Sequence, residues 1–142
     1  MKNTKSQGNY AENIAVSFLK QRNYQIIARN YSHKKGEVDI IVYDSRRQEI
    51  VFVEVRSKWL YEMENIYNPL SIIPEDSVNS RKLKKIEKTA WLFLEKEPEL
   101  WEPYFRDLAP YTFPEWRIDL ISVIIIRSIK KVKLKHYKYV TI

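Results

Sequence analysis

A mixed α/β fold, in the order helix, three strands, helix, strand and a final basic strand, is what this 142-residue sequence predicts. Three observations carry it. An apolar stripe near the start has helical spacing, two β-rich runs flank a polar turn, and a late apolar run reads as a buried strand. At this length, with 44% hydrophobic residues, one domain spanning residues 1–142 with a real core is expected.

Between Tyr10 and Arg22, the residues Ala11, Ile14, Ala15, Phe18 and Leu19 share one helical face. Tyr24 to Arg29 then reads as a short strand. Val38 to Tyr43 and Ile50 to Val55 are rich in β-branched and aromatic residues, and the run Asp44-Ser45-Arg46-Arg47-Gln48 turns the chain between them. The second of these strands has the composition to continue through Ser57 to Trp59. Residues 61–78, with Asn68-Pro69 and Pro74, show no sustained period and read as an excursion loop. Asn79 or Ser80 can cap a helix reaching Lys96, with Leu83, Ile86, Ala90 and Phe93 or Leu94 inward. Residues 95–116 form a proline- and aromatic-rich insertion with room for a short helix around Trp101 to Leu108. Arg117 to Ile126 reads as a buried strand, and Val132 to Val140 as a last one with partial alternation.

The hairpin carries the chemistry. If it is symmetric about Arg46 and Arg47, Tyr43 faces Ile50, Ile41 faces Phe52, Asp39 faces Glu54 and Glu37 faces Arg56. Side chains opposed in this way have Cβ atoms about 5 Å apart, where two carboxylates repel unless something positive lies between them. A one-residue slip would send them to opposite faces. Both faces of the strand around Glu54 look buried, so its carboxylate must be paired, hydrogen-bonded or bound to a metal. A divalent cation is one answer; an ion pair with Arg56 or another cation is the other.

Composition narrows the field. The chain has no cysteine, which excludes disulfides, thiolate zinc sites and cysteine nucleophiles, and any metal must be held by oxygen or histidine. No signal-like start and no apolar run long enough to span a bilayer is visible, and with the missing cysteines this points to the cytoplasm. The net charge is +7 and the pI about 9.5, favouring an anionic partner. Basic residues cluster at Lys34 and Lys35, at Arg81, Lys82, Lys84, Lys85 and Lys88, and beyond Asp119, where no acidic residue occurs. Each cluster alone is an ordinary solvated face; several of them around a carboxylate pair favour a phosphate backbone. His33 and His136 have no second histidine at metal spacing, Gly36 reads as a turn residue, and no serine sits in a nucleophile elbow.

Several blocks in one order also carry a resemblance. Gly8, Ala11-Glu12 and Ala15 are similar to an N-terminal helix motif in which glycine usually stands at the Ala11 position. Tyr24 to Asn30 resembles "GY.IL.RN", Gly36 to Ile41 "GEIDLI", Val51 to Arg56 "VFVEVK", and Arg117 to Leu120 "RFDV", while Val78, Lys82 and Ala90 match a second helix. These are blocks of the PD-(D/E)XK nuclease superfamily, and within it of the small, uncharacterised YraN-like family of bacterial proteins related to archaeal Holliday-junction resolvases. The resemblance covers most of the chain.

It implies a restriction-endonuclease-like mixed sheet with an αβββαβ core, and metal-dependent hydrolysis of phosphodiester bonds in DNA, branched DNA included. Asp39, Glu54 and the backbone carbonyl of Val55 would hold Mg²⁺ or Mn²⁺, with Glu12 as a third carboxylate or simply a glutamate favouring the helix dipole. Lys34, Lys35, Arg81, Lys82 and Lys85 would contact nucleic acid, and a homodimer would present the two sites that junction cutting requires. One departure stands out: the lysine after the family's glutamate is Arg56 here. Arginine keeps its proton, so Arg56 offers charge and hydrogen bonds but not base catalysis. Lys58 projects to the same face two residues on. Two other readings stay open, a catalytically impaired nucleic-acid-binding module and a protein-interaction role for the aromatics of the insertion, whose plainer reading is a lid over the core.

Overall fold

A computed structural model describes residues 4–34, 36–61 and 79–141. Helix α1 (Thr4–Gln21) leads into β1 (Tyr24–His33), β2 (Gly36–Asp44) and β3 (Glu49–Leu60); α2 (Ser80–Lys96), a single turn α3 (Pro98–Trp101) and a 3-10 turn follow, then β4 (Trp116–Ile126) and β5 (Lys131–Tyr137). The strands form one sheet in the order β1-β2-β3-β4-β5, antiparallel except for the β3–β4 pair. This is a mixed α/β architecture with the expected element order.

The ends of the elements follow local chemistry. Helix α1 begins earlier than its apolar stripe and stops where Asn23 takes a left-handed φ of 69°, with its N–H bonded back to the Lys20 carbonyl. The Asn79 side chain caps α2 by accepting from the Lys82 N–H at 2.9 Å. At the hairpin turn, the Asp44 carboxylate accepts from the N–H groups of Arg46 and Arg47, and Gln48 supplies the positive φ. Strand β1 runs four residues beyond its expected end, through a register shift at Ile27 and a left-handed Asn30.

Each face of the sheet has its own core. Ala11, Ala15 and Leu19 of α1 pack on Ile40, Val42, Val51, Val53, Ile121 and Val123. On the opposite face Ile86, Ala90, Phe93 and Leu94 of α2 cover Ile41, Ile50 and Phe52. The alternation along β2 and β3 thus sends successive side chains to different helices. A fully buried Phe52 or Phe93 contributes roughly 1.5–3 kcal/mol by leaving water.

One expectation changes at this level. Gly36 has no positive φ; instead an added Cβ would lie 1.9 Å from the Thr89 hydroxyl oxygen, so glycine lets α2 approach the start of β2. The insertion mostly roofs the α2-side core: Trp101 is buried with its indole N–H on the Leu94 carbonyl, and Tyr104 and Phe105 stack on Tyr43. Tyr111 and Phe113 remain exposed. The excursion after Tyr61, together with Lys35 and Val78, lies outside the described residues.

Candidate functional site

The β2–β3 ladder runs Asp44↔Glu49, Tyr43↔Ile50, Ile41↔Phe52 and ends at Ile40↔Val53, as the symmetric hairpin requires. The strands part at the next position, which is Asp39 opposite Glu54. Strand β3 itself continues to Leu60 because β4 pairs with it along its whole length. In the opening, the Asp39 side chain takes the place of the missing strand and accepts from the Val55 N–H at 2.8 Å. Since the N–H and C=O of one strand residue point the same way, the Val55 carbonyl faces the opening too.

Glu54 is 5% exposed, and its carboxyl lies within hydrogen-bonding reach of Asp39. Two cations reach it: Arg56 Nε at 3.5 Å from β3 and Lys82 Nζ at 3.7 Å from α2. They do not compensate it. Burial first, and then the Asp39 charge, push the Glu54 carboxyl up to about 7; Asp39 is also raised, mainly by burial, despite the Val55 hydrogen bond.

The remaining expected residues fall around this pair at different distances. Glu12 is half-buried on α1, 3.8 Å from the Arg29 guanidinium, and its carboxyl is raised by burial and then by Asp39. Its Oε1 is enclosed without a hydrogen bond among the described residues. Among the described residues no group of three His, Cys, Asp or Glu side chains is placed to hold a metal ion together, so Glu12 flanks the pair. Glu37 pairs with Ser32 of β1, beyond the end of the β2–β3 ladder, so the expected opposition to Arg56 does not form and Arg56 turns to Glu54 instead. Lys58 is on the Glu54 face of β3, Lys34 stands exposed in the β1–β2 turn, and Arg81 and Lys85 are exposed on α2.

Lys82 was expected among the backbone-binding residues, and its contact with Glu54 was not read from the sequence. Its spacing of seven from Thr89 was the available signal, because the glycine-permitted contact at Thr89 sets the same helix side against β2.

A second polar cluster lies at the hairpin end of the sheet. Arg117, 4% exposed, bonds Asp119 at 2.9 and 3.2 Å, Asp44 at 2.8 Å, Glu49 at 2.7 Å and the Tyr24 hydroxyl at 3.3 Å. His136 Nε2 lies 2.7 Å from Asp119, and the Tyr139 N–H donates to the same carboxylate. Burial raises Asp119 and Asp44, but hydrogen bonds outweigh it, from His136 and Arg117 at Asp119 and from Arg117 and the turn N–H groups at Asp44, and both end below their ordinary values.

Residues 11–123 match Uncharacterised protein family UPF0102. A UPF0102 protein of Acinetobacter baumannii (strain AYE) is 37% identical over 109 residues, covering 76% of this chain and 74% of its own. One of Clostridium botulinum (strain 657) is 38% identical over 102 residues, covering 72% and 75%. The chain belongs to UPF0102, the YraN group.

Proposed function

From this membership and the geometry of the pair, we propose that the protein is a Mg²⁺- or Mn²⁺-dependent nuclease that hydrolyses phosphodiester bonds in DNA, on a restriction-endonuclease-like fold. The observation that carries the reading is the placing of Asp39 beside a buried Glu54 in the gap between β2 and β3, with the Glu54 carboxyl held up to about 7 although Arg56 and Lys82 reach it. The donor set suits a hard cation: two carboxylates and the Val55 carbonyl, with coordination left over for water and phosphate oxygens. Glu12, with its unbonded oxygen, would act from outside the ligand set.

When bound, the metal ion would polarise a phosphoryl oxygen and lower the pKa of water. The chain's own residues would do the rest. Asp39 is oriented for its role by the Val55 N–H, and Glu54 is held between Arg56 and Lys82. Arg56 contributes fixed charge toward the scissile phosphate, whereas Lys82, being a lysine, can also surrender a proton. Lys34, Arg81 and Lys85 would meet the phosphate backbone, and the substrate range would include branched DNA cut by a homodimer.

The test is cleavage of a panel of linear, single-stranded and branched DNAs with Mg²⁺ or Mn²⁺. Activity is expected to vanish in Asp39→Ala and Glu54→Ala, to survive in Arg56→Lys, and to fall on the order of 100-fold in Lys82→Ala. Robust cleavage by purified Asp39→Ala protein would sink the assignment. The two cations already on Glu54 favour a second reading, a nucleic-acid-binding module without turnover. Salt-dependent DNA binding with no metal-dependent product would select it.

A further inference from the structure

A cavity of about 600 Å³ opens between the end of α1, the β2–β3 turn and the chain leaving β5, at the opposite end of the hairpin from Asp39 and Glu54. Its wall carries Arg22, Arg46, Arg47 and Lys138, from three separate stretches of chain. The carboxylate on the same wall, Asp44, is already committed: one oxygen is on Arg117 at 2.8 Å, and the other accepts two backbone N–H groups of the turn. None of the four cations has an ion-pair partner among the described residues. Arg47 donates to the Tyr139 hydroxyl, and the Arg22 guanidinium lies flat on the Phe18 ring at 3.8 Å. Stacking of that kind fixes the plane of a guanidinium while leaving its N–H edges to bind.

With Asp44 turned to Arg117 and to the N–H groups of the turn, the four exposed cations lining the cavity have no ion-pair partner among the described residues and leave its wall net positive, a surface that attracts anions. We propose that this cavity binds a phosphate-bearing ligand of nucleotide size. Arginine forks match phosphate oxygens in pairs, and three of the four cations are arginines. Phe18, under Arg22, and the largely buried Tyr24 add apolar wall beside them. The volume falls in the range of about 300–1,000 Å³ usual for small-molecule sites. The site stands whether or not Asp39 and Glu54 hold a metal, because it shares no residue with them.

Phosphate could arrive on a free nucleotide or on the end of a nucleic acid, and titration calorimetry of the metal-free protein separates the two. The probes are pyrophosphate, ADP and a short oligonucleotide carrying either a 5′-phosphate or a 5′-hydroxyl, against wild type and an Arg46→Ala/Arg47→Ala double variant. Both arginines are exposed, and the turn N–H groups that hold Asp44 survive the change. Saturable binding to wild type is expected, weakened about 10- to 100-fold in the double variant with no change in thermal midpoint. Tighter binding of ADP than of pyrophosphate identifies a free nucleotide; preference for the 5′-phosphorylated oligonucleotide identifies a nucleic acid end. Absence of saturable binding by every probe, or binding that the double variant retains, overturns the proposal.

Discussion

Asp39 with Glu54, and Asp44 with Glu49 and Asp119, are two sets of acids in the same sheet, about five residues apart along β2, and they are held in opposite ways. At the hairpin end the acids surround one buried guanidinium, which bonds all three at 2.7–3.2 Å. At the open end the cations come from partly exposed side chains at 3.5 and 3.7 Å, and the Asp39 charge acts directly on Glu54. Asp44 and Asp119, hydrogen-bonded to the guanidinium, are pushed down, whereas burial pushes Asp39 and Glu54 up despite the cations near them. The first arrangement stabilises the fold; the second keeps an electrostatic vacancy for something from outside.

The comparison breaks most visibly at Arg117. Replacing it with alanine leaves three acids without their shared partner, and the expected loss is about 3–5 kcal/mol by urea denaturation; a loss below 1 kcal/mol would mean that the cluster is ornamental. Glu54→Gln should act with the opposite sign. Glu54 has a folded pKa above its unfolded one, so its contribution is full below about 4.5 and is lost as pH rises through about 7; Asp39 is raised as well and shifts in the same sense. At pH 8 without metal, Glu54→Gln is therefore expected to stabilise the protein by about 1–3 kcal/mol, and to abolish further stabilisation by Mn²⁺. Destabilisation instead would show that the ion pairs with Arg56 and Lys82 dominate. The other set runs the reverse course: Asp44 and Asp119 contribute fully above their unfolded values near 3.8, and that contribution is lost as pH falls through the lowered folded ones. The smallest effect belongs to Asn79→Ala, which removes the cap on the Lys82 N–H. A loss of about 1 kcal/mol is expected in thermal melts, with Lys82 less firmly set against Glu54.

Much of this was legible in the residues. The hairpin's alignment was, in that placing its symmetry at Arg46 and Arg47 within the polar run Asp44 to Gln48 gives the pairs Tyr43 with Ile50 and Ile41 with Phe52 and sets Asp39 opposite Glu54, although a one-residue slip fits the same run. The capped α2 and its inward residues were legible for a similar local reason. What was not legible depends on distant chain. The Lys82 contact depends on where α2 docks, and Gly36 reads as a turn residue until Thr89 is placed beside it. Arg117 was seen as the start of a buried strand and part of a resembling block, not as the centre of an acid cluster. Its partners Asp44 and Tyr24 lie 73 and 93 positions away, beyond any local pattern.

That separation has a consequence in time. Strand β3 meets β2 through a short turn, but it meets β4 only after a long stretch of chain has been brought round, and loop closure of that size must come before any contact rewards it. The hairpin can therefore form while Asp44 and Glu49 are still hydrated, and the guanidinium that will desolvate them arrives late. A contact absent from the barrier acts on the rate of leaving the native state rather than of reaching it. Arg117 is in this sense a latch, closing last and governing how long the folded protein stays folded.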